Sequence, residues 1–577
     1  MFKFLRKSND DERPNMLRDV SDLRDLLNYA AESYGEKAAY LYKKKLGGEY
    51  LPISFNQFRE DVNNLGNALL EAGYKGKHIA LIGENRYEWV VSYLAVACGL
   101  GVIVPLDKEL PVQEIAALID RADVSAVIYS SKVGSKLKEA LEGREDIDLI
   151  SMEILSSEGS LKSLKALIAR GAELRKRGMH RFEGLPIDPN DFCTLIFTSG
   201  TTGLAKGVML CHRNIAYNVS AMAEYMDASA FFDRKVGLSL LPMHHCFGFT
   251  ADVLTSLHQG GTLAFCEGLK HVAKNMKEAK ISYLIAVPLI YESIHDKIWK
   301  KAEESGRADK MRAAIKMIKA LSHINKKVQR RAARLFKEVH DALGGTPKLL
   351  IAGGAPSDPS VMANFNAMGI LMVQGYGMTE TSPVITLNPW YAPKHASVGL
   401  PLPGTEIRID DPDSDGIGEL LCRSDAVMLG YYKDEEETSN VLSEDGWLRT
   451  GDYGYADKDG YYYLTGRKKN VIVTKNGKNI FPEEVEYYLL KSPYIEEVIV
   501  RGVQDEGKSD LVVCAEIYPN LEKLEEEGSP TGEALRALIK REVDKYNDKM
   551  PLYKRVKRFT LRDTCFEKTT TRKIKRW

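Results

Sequence analysis

A chain of 577 residues, 44% of them hydrophobic and 28% charged, is too long for one core and too apolar to stay unfolded, so two or more domains are expected. Its 80 basic residues balance 80 acidic ones, which excludes a nucleic-acid binder acting through overall positive charge and an acidic solvating protein. Eight cysteines lie far apart with no C-x-x-C pair, so they read as small apolar residues in a reducing compartment, not as a zinc site or a disulfide framework.

In chain order, residues 1–6 are apolar and basic, but 7–13 are strongly charged where a secretory peptide needs an apolar stretch. A cytoplasmic chain starting near Met1 is expected. The longest run without a charge, 89–106, is long enough to span a membrane. Ser92, Gly99, Gly101 and Pro105 interrupt it, and a buried helix over 86–98 followed by a buried strand over 102–106 fits better. Short β-branched runs at 78–82, 126–129, 194–197, 283–287, 349–351 and 370–373 alternate with helical stretches, the pattern of parallel α/β layers. After about residue 399 the texture changes to Gly- and Asp-rich hairpins, 409–421 and 457–464. From about 466 a strand, helix, strand, helix series (471–473, 483–490, 497–503, 532–546) marks a small α+β domain. The expected fold is a large N-terminal body of layered α/β subdomains with an antiparallel β element (1–466), then a small mobile C-terminal domain (467–577).

Two stretches concentrate positive charge. Residues 296–340 hold 14 Lys/Arg against 5 Asp/Glu, and 550–577 hold 10 against 2. In the first, Met311, Ile315, Ile318, Leu321, Ile324, Val328, Ala332, Leu335 and Val339 recur at spacings of three and four, one apolar stripe under a basic coat. Two readings stay open: a solvated helix or hairpin packed on the body, and a surface that attracts anionic lipid headgroups.

The most specific segment is 194–208, TLIFTSGTTGLAKGV. A β-like run feeds a loop of Thr198, Ser199, Gly200, Thr201, Thr202 and Gly203, with Lys206 just after. Small residues let backbone N–H groups approach a polyphosphate, hydroxyls donate further hydrogen bonds, and an ammonium balances charge. It is not a Walker A loop, because Ala205 precedes Lys206 and Gly207 follows it.

This loop resembles the phosphate-binding signature of the adenylate-forming superfamily, and the resemblance continues in order over nearly the whole chain. Gly353, Gly354, Ala355 and Pro356 resemble the family's flat wall against adenine, where a side chain would block approach. In GYGMTETS (375–382) the resemblance implies that Tyr376, beside Gly377, stacks on the base, that Thr379 meets the α-phosphate, and that Glu380 is the carboxylate for Mg2+. A hard cation prefers oxygen and keeps waters, so one carboxylate plus phosphates is sufficient. In WLRTGD (447–452), Asp452 is implied to accept from both ribose hydroxyls. The segment 457–460 superficially resembles a calcium loop but lacks its ligand series, so a hairpin turn is expected. Arg467 resembles the arginine at the domain junction that touches nucleotide, and Lys469 falls on the implied hinge.

KNGKNIFPEEVE (475–486) resembles the loop that enters the active site for thioester formation, with Gly477 leaving room for pantetheine. EKTTTRKIKR (567–576) resembles the closing signature and places the adenylation lysine at Lys573. Glu567 stands where proline is usual and Arg572 where glycine is usual, so Lys568 and Lys575 are the alternatives. His245, from its spacing to Gly248, is implied to gate the acyl site. Cys246 stands where peptide-synthetase domains hold the substrate amine with an aspartate, which disfavours amino acids. Phe247, Phe249, Val287, Pro288, Val373 and Gly375 are candidates to line a hydrocarbon pocket, with Gln374 a polar member. The basic segment resembles the insertion of long-chain acyl-CoA synthetases.

The implied activity is a two-step long-chain fatty-acid–CoA ligase using ATP, Mg2+ and coenzyme A. It would be cytoplasmic, and the lipid reading of the basic helix would add peripheral contact with an anionic membrane. Transfer to acyl carrier protein and a catalytically weak acyl or nucleotide binder are the alternatives. No nucleic-acid partner is expected, and the sequence leaves the oligomeric state open.

Overall fold

The computed structural model describes residues 18–154, 161–198, 205–226, 235–322, 332–345, 347–473, 479–504, 511–568 and 574–576. The chain forms two compact units, Met1–Glu406 with Arg423–Leu448, and Ile407–Cys422 with Arg449–Trp577.

The first unit is built on three sheets. The largest has eight strands in the order Gly430–Tyr431, Lys206–Cys211, Phe192–Thr198, Val102–Leu106, His78–Ile82, Val124–Tyr129, Asp148–Ser151, Leu161–Ser163. Its middle is parallel and buried on both faces, which explains the unbroken apolar runs there. The charge-free stretch resolves as expected, into helix Tyr87–Ala97 and the fully buried strand Val102–Leu106. Among the described residues no helix is long and apolar enough to cross a membrane. Pro105 sits in a central strand, where its missing N–H would break a ladder. Pairing with Phe192–Thr198 is confined to Ile103 opposite Thr194, so that ladder ends before the proline.

A second sheet orders Val236–Ser239, Thr262–Phe265, Ala38–Tyr42 and Leu51–Ser54. A third orders Tyr283–Ala286, Leu349–Ala352, Leu371–Gly377, Val384–Leu387 and Leu400–Pro401, parallel in its first three strands and antiparallel after. The turn from parallel to antiparallel falls at Gly377–Val384 and places the 379–381 turn beside the strand ends, where open α/β sheets bind ligands.

The basic segment departs from the single stripe expected of it. Helices Pro288–Glu304 and Ala308–Ser322 are separated by a turn, and Lys337–Ala342 follows after residues outside the description, which include Ile324 and Val328. Ile315, Ile318, Ala332 and Phe336 pack on Ala367 and Met368, with Met311 and Val339 partly buried beside them. Leu321 and Leu335 are exposed instead, Leu335 by 67%.

The second unit joins the hairpin sheet 406–410, 418–423, 448–456, 462–467 to the small α+β domain. Its core gathers Ile472, Val485, Leu489, Val498, Ile517, Ile539 and Val543 around the sheet Ile495–Gln504, Leu511–Pro519, Arg558–Leu561. The turn at 457–460 is a hairpin, as expected: the Gly460 N–H donates to the Asp457 carbonyl at 2.9 Å, and Asp457 Oδ1 accepts from the N–H groups of Asp459 and Tyr461.

Candidate active site

In the first unit the strands Phe192–Thr198 and Lys206–Cys211 pair antiparallel with Thr198 opposite Lys206. They therefore bring the two ends of the hydroxyl-rich loop together, while Ser199, Gly200, Thr201, Thr202 and Gly203 lie outside the described residues. The Lys206 ammonium is held by the Glu437 carboxylate and stands 5.0 Å from the centre of the Tyr431 ring. The lysine in turn lowers the Glu437 carboxyl below its ordinary value. Tyr431 pairs with Val208 in the neighbouring strand, and its hydroxyl donates to Glu380 Oε1 at 2.8 Å. Burial first, then the Glu380 charge, pushes the Tyr431 phenol up.

Glu380 is buried in the turn Thr379–Thr381, which its neighbours clamp. Thr381 Oγ1 donates to the Pro383 carbonyl at 2.8 Å, Ser382 Oγ to that of Ala426 at 2.9 Å, and the Met428 N–H to that of Glu380 at 2.9 Å. A Cβ on Gly377 would stand 1.9 Å from the Pro383 oxygen, so only glycine lets the strand and turn meet. Tyr376 precedes it, buried and paired with Thr386. Among the described residues no group of three or more His, Cys, Asp or Glu stands ready to hold a metal. A single buried carboxylate fits Mg2+ only with phosphates and waters completing the shell.

The strand Leu349–Ala352 leads into Gly353, Gly354 and Ala355. Gly354 takes φ +77°, a region that disfavours side chains, and a Cβ on Gly353 would lie 2.7 Å from the Phe247 ring. Phe247 begins the π-helix Phe247–Leu254, with Cys246 between it and the two histidines. His245 Nε2 lies 3.1 Å from His244 Nε2, and His244 Nε2 lies 3.4 Å from Asp107 Oδ2. Asn85 pins this loop by donating to the Leu241 carbonyl at 2.7 Å and accepting from the Met243 N–H. Cys246 is buried, and its thiol is pushed up by burial and by Glu380.

Phe247 and Val373 share one apolar cluster with Ala251, Tyr283 and Ile351, whereas two expected pocket members are used otherwise. Phe249 packs in the main core, 3.9 Å from the Tyr93 ring centre. The Gln374 amide donates to the carbonyls of His395 and Ser397 and so holds that loop. The residues the sequence reading missed are Asn85, Asp107, Tyr431 and Glu437. Each lies 50 or more positions from its partner, and a tyrosine or an acid alone carries no motif.

In the second unit Asp452 and Arg467 face each other across the hairpin, with Arg467 Nε 2.7 Å from Asp452 Oδ1. Burial, with Arg467 and Arg576 adding repulsion, pulls the Lys469 ammonium below its ordinary value. Gly477, Arg572 and Lys573 lie outside the described residues. Their neighbours bear on the alternatives: Lys568 is ion-paired with the buried Glu497, and the Lys575 N–H donates to the Glu567 carbonyl at 2.8 Å. Lys568 is thereby committed to a structural pair.

Residues 27–432 match the model of the AMP-binding enzyme family. The chain belongs to that family. This AMP-binding enzyme is 30% identical over 490 residues to the rat long-chain-fatty-acid–CoA ligase 5, covering 80% of the chain and 70% of that protein. It is 25% identical over 591 residues to a chloroplastic long-chain-fatty-acid–[acyl-carrier-protein] ligase of Arabidopsis thaliana, covering 90% and 80%. Among solved structures, an anthranilate CoA ligase with anthranoyl-AMP shares the fold with TM-score 0.74 at 20% identity, covering 97% of this chain and 96% of that one. A fatty acyl CoA synthetase of Mycobacterium tuberculosis shares the fold with TM-score 0.63 at 21% identity, covering 96% of each.

Proposed function

We propose that this AMP-binding enzyme is a long-chain fatty-acid–CoA ligase. The observation that carries the reading is the grouping of Glu380, Tyr431 and Lys206 at the end of the hydroxyl-rich hairpin, in a chain whose relatives include the rat ligase. In the first step a fatty-acid carboxylate oxygen attacks the α-phosphorus of ATP, the bond to the bridging oxygen breaks, and pyrophosphate leaves. In the second the CoA thiol attacks the acyl carbon and AMP leaves with the bonding electron pair.

The side chains bind and orient these groups. Tyr376 and the Gly353–Gly354–Ala355 wall take the adenine, Thr379 the α-phosphate, and Lys206 with the 198–203 loop the outer phosphates. Asp452 and Arg467 take the ribose. Mg2+, held by Glu380, would supply charge neutralisation on the phosphates. Tyr431 fixes the Glu380 carboxylate through its hydrogen bond, and His245 shapes the entrance for the acyl carboxylate. We assign domain boundaries of 1–466 and 467–577, with Lys469 the hinge, Lys573 the adenylation lysine and Gly477 on the thioester path.

Thioester and pyrophosphate are to be measured across carboxylic acids of graded length with ATP and CoA. Long-chain acids give both products. The Arabidopsis relative favours a second reading, transfer to acyl carrier protein; pyrophosphate release with carrier loading and no CoA consumption selects it. Lys573→Ala removes adenylation, by about 100-fold or more, and still converts supplied acyl-adenylate and CoA. Equal loss of both steps refutes the assignment.

Peripheral contact with anionic lipid is proposed for the basic segment 296–340, in which Met317 and Leu321 are exposed among lysines. This segment lines a cleft of about 510 Å³ with Trp299, Glu303, Arg312, Lys316 and Lys319. Binding to anionic vesicles should weaken with salt; salt-insensitive binding removes the idea.

A further inference from the structure

The turn between helix Val112–Arg121 and strand Val124–Tyr129 carries side chains that the chemistry above does not use. It lies against the end of the hydroxyl-rich hairpin. Arg121 is half-buried, and its guanidinium donates to the Ala205 carbonyl at 2.6 Å. Asp123, on the surface, takes φ +50°, a left-handed conformation that aspartate tolerates better than most side chains. Its carboxylate accepts from the Tyr432 hydroxyl at 2.5 Å and from the Lys433 ammonium at 2.8 Å, and Lys433 also reaches the Arg121 carbonyl at 3.4 Å.

Ala205 precedes Lys206, so its carbonyl lies one step beyond the ladder pair of Thr198 with Lys206. A backbone carbonyl in that place needs a partner from outside the sheet, and Arg121 supplies a charge-assisted one. On the opposite edge of the same strand, Gly430 and Tyr431 pair with Met209 and Val208, and the Tyr432 N–H extends the contact by donating to the Gly207 carbonyl at 2.7 Å. The backbone around Lys206 is therefore gripped at two carbonyls, by Arg121 before it and by Tyr432 after it. Both grips return to the 121–123 turn.

These holds bear on where the Lys206 charge can go. A lysine carries a point charge on a flexible stem, so its head is placed by its backbone and its counter-ion. The counter-ion is Glu437, and the ammonium stands 5.0 Å from the centre of the Tyr431 ring. Tyr431 is the residue before Tyr432, which Asp123 ties to the turn. One turn thus steadies the backbone of Lys206 and the strand that Lys206 faces.

We propose that Arg121 is a positioning residue for ATP that acts through Lys206, with Asp123 supporting it by holding Tyr432. The inference rests on the reading above of Lys206 as a cation for the outer phosphates. It confines the effect of Arg121 to the step in which those phosphates are bound and leave as pyrophosphate. Thioester formation from an acyl-adenylate involves no outer phosphate, so a split between the half-reactions separates positioning from a structural role.

Pyrophosphate release by the full-length enzyme is measured against MgATP at saturating long-chain acid, and thioester formation from supplied acyl-adenylate and CoA is measured alongside. Arg121→Met, which keeps the stem and removes the donors, should lower kcat/KM for MgATP about 10-fold and leave the second half-reaction within about twofold. Arg121→Lys, which keeps a charged donor, should stay within about threefold of the wild type. Asp123→Asn should cost about threefold, in the MgATP step alone. In a Lys206→Ala background, Arg121→Met should change kcat/KM for MgATP by less than about twofold, because its route has gone.

Equal loss in both half-reactions overturns the inference, as does an Arg121→Met loss that persists in full without Lys206. Should Arg121→Met not fold, Arg121→Gln takes its place in both comparisons. If no acid releases pyrophosphate, the ligase reading fails, and the calorimetric affinity of a non-hydrolysable ATP analogue for the same variants decides the role of Arg121. A weakening of about 10-fold that vanishes without Lys206 upholds it, and an unchanged affinity overturns it.

Discussion

Two buried acids of the first unit sit in opposite circumstances. Glu380 lies in a clamped turn and receives the Tyr431 hydroxyl at 2.8 Å. Asp252 lies in the π-helix Phe247–Leu254, buried, and among the described residues neither of its oxygens has a hydrogen-bond partner. A donor aimed at a carboxyl favours its charged form, while apolar burial without one favours the protonated form. The fold therefore gives one acid a phenol to accept from and buries the other without a donor, and that burial pushes the Asp252 carboxyl above the usual carboxylate range.

The largest effect expected from breaking this contrast is at Glu380. Glu380→Gln keeps the shape and an oxygen for Tyr431 but removes the charge, so pyrophosphate release should fall about 100-fold or more. Near-normal turnover over a range of Mg2+ concentrations would remove Glu380 from the phosphate chemistry.

Asp252 should respond in stability and with a definite sign. Its folded-state value is raised, so the unfolded chain releases the proton near the ordinary carboxylate value while the folded chain keeps it. The stability this provides is complete at acid pH and is lost as pH rises toward the folded value, at about 1.4 kcal/mol per pH unit. Asp252→Asn has no proton to lose. Its melting temperature should gain on the wild type as pH rises above the ordinary carboxylate range; a difference that does not change with pH would mean that Asp252 is ionised in the fold.

The smallest effect is expected at the donor. Tyr431→Phe leaves Glu380 without its hydrogen bond, and a bond to a charged group contributes about 1.5 kcal/mol. The Mg2+ concentration for half-maximal activity and the calorimetric Mg2+ affinity in the presence of a non-hydrolysable ATP analogue should both shift about 10-fold. No shift in either would reduce Tyr431 to a packing residue.

Much of the scaffold was legible because periodicity reports burial directly. The strand at 102–106 and the helix before it followed from an uncharged run and two glycines. The hairpins after residue 399 followed from turn chemistry, and Asp457 caps its turn as that chemistry requires. The motifs singled out Glu380, Tyr376, Asp452 and Arg467 as candidates, and the fold places the last two side by side.

What the sequence hid was pairing across long separations. Tyr431 reaches Glu380 and Glu437 reaches Lys206 only because a two-residue strand returns to the edge of the large sheet. Apolar content also misled where it did not distinguish core from pocket. Phe249 and Phe247 are neighbours in sequence with the same hydropathy, yet one packs on Tyr93 and the other against Gly353. In the basic segment the apolar spacing did not keep every member on the packed face, and Leu321 and Leu335 are exposed although both are helical. Asp252 could not be foreseen, since an acid in an apolar run reads equally as a surface residue.

The order in which the chain visits its two units has a consequence for cutting or recombining this protein. The chain leaves the first unit after Glu406, returns at Arg423, and leaves again after Leu448. A truncation at 406 would therefore remove more than an appendage. It would strip Gly430–Tyr431 from the edge of the large sheet, leaving strand Lys206–Cys211 with unpaired backbone groups. The same cut would deprive Glu380 of its phenol and Lys206 of its counter-ion. The first unit is contiguous in space but not in the gene, so a fragment or chimera that keeps it intact must carry the 423–448 excursion with it.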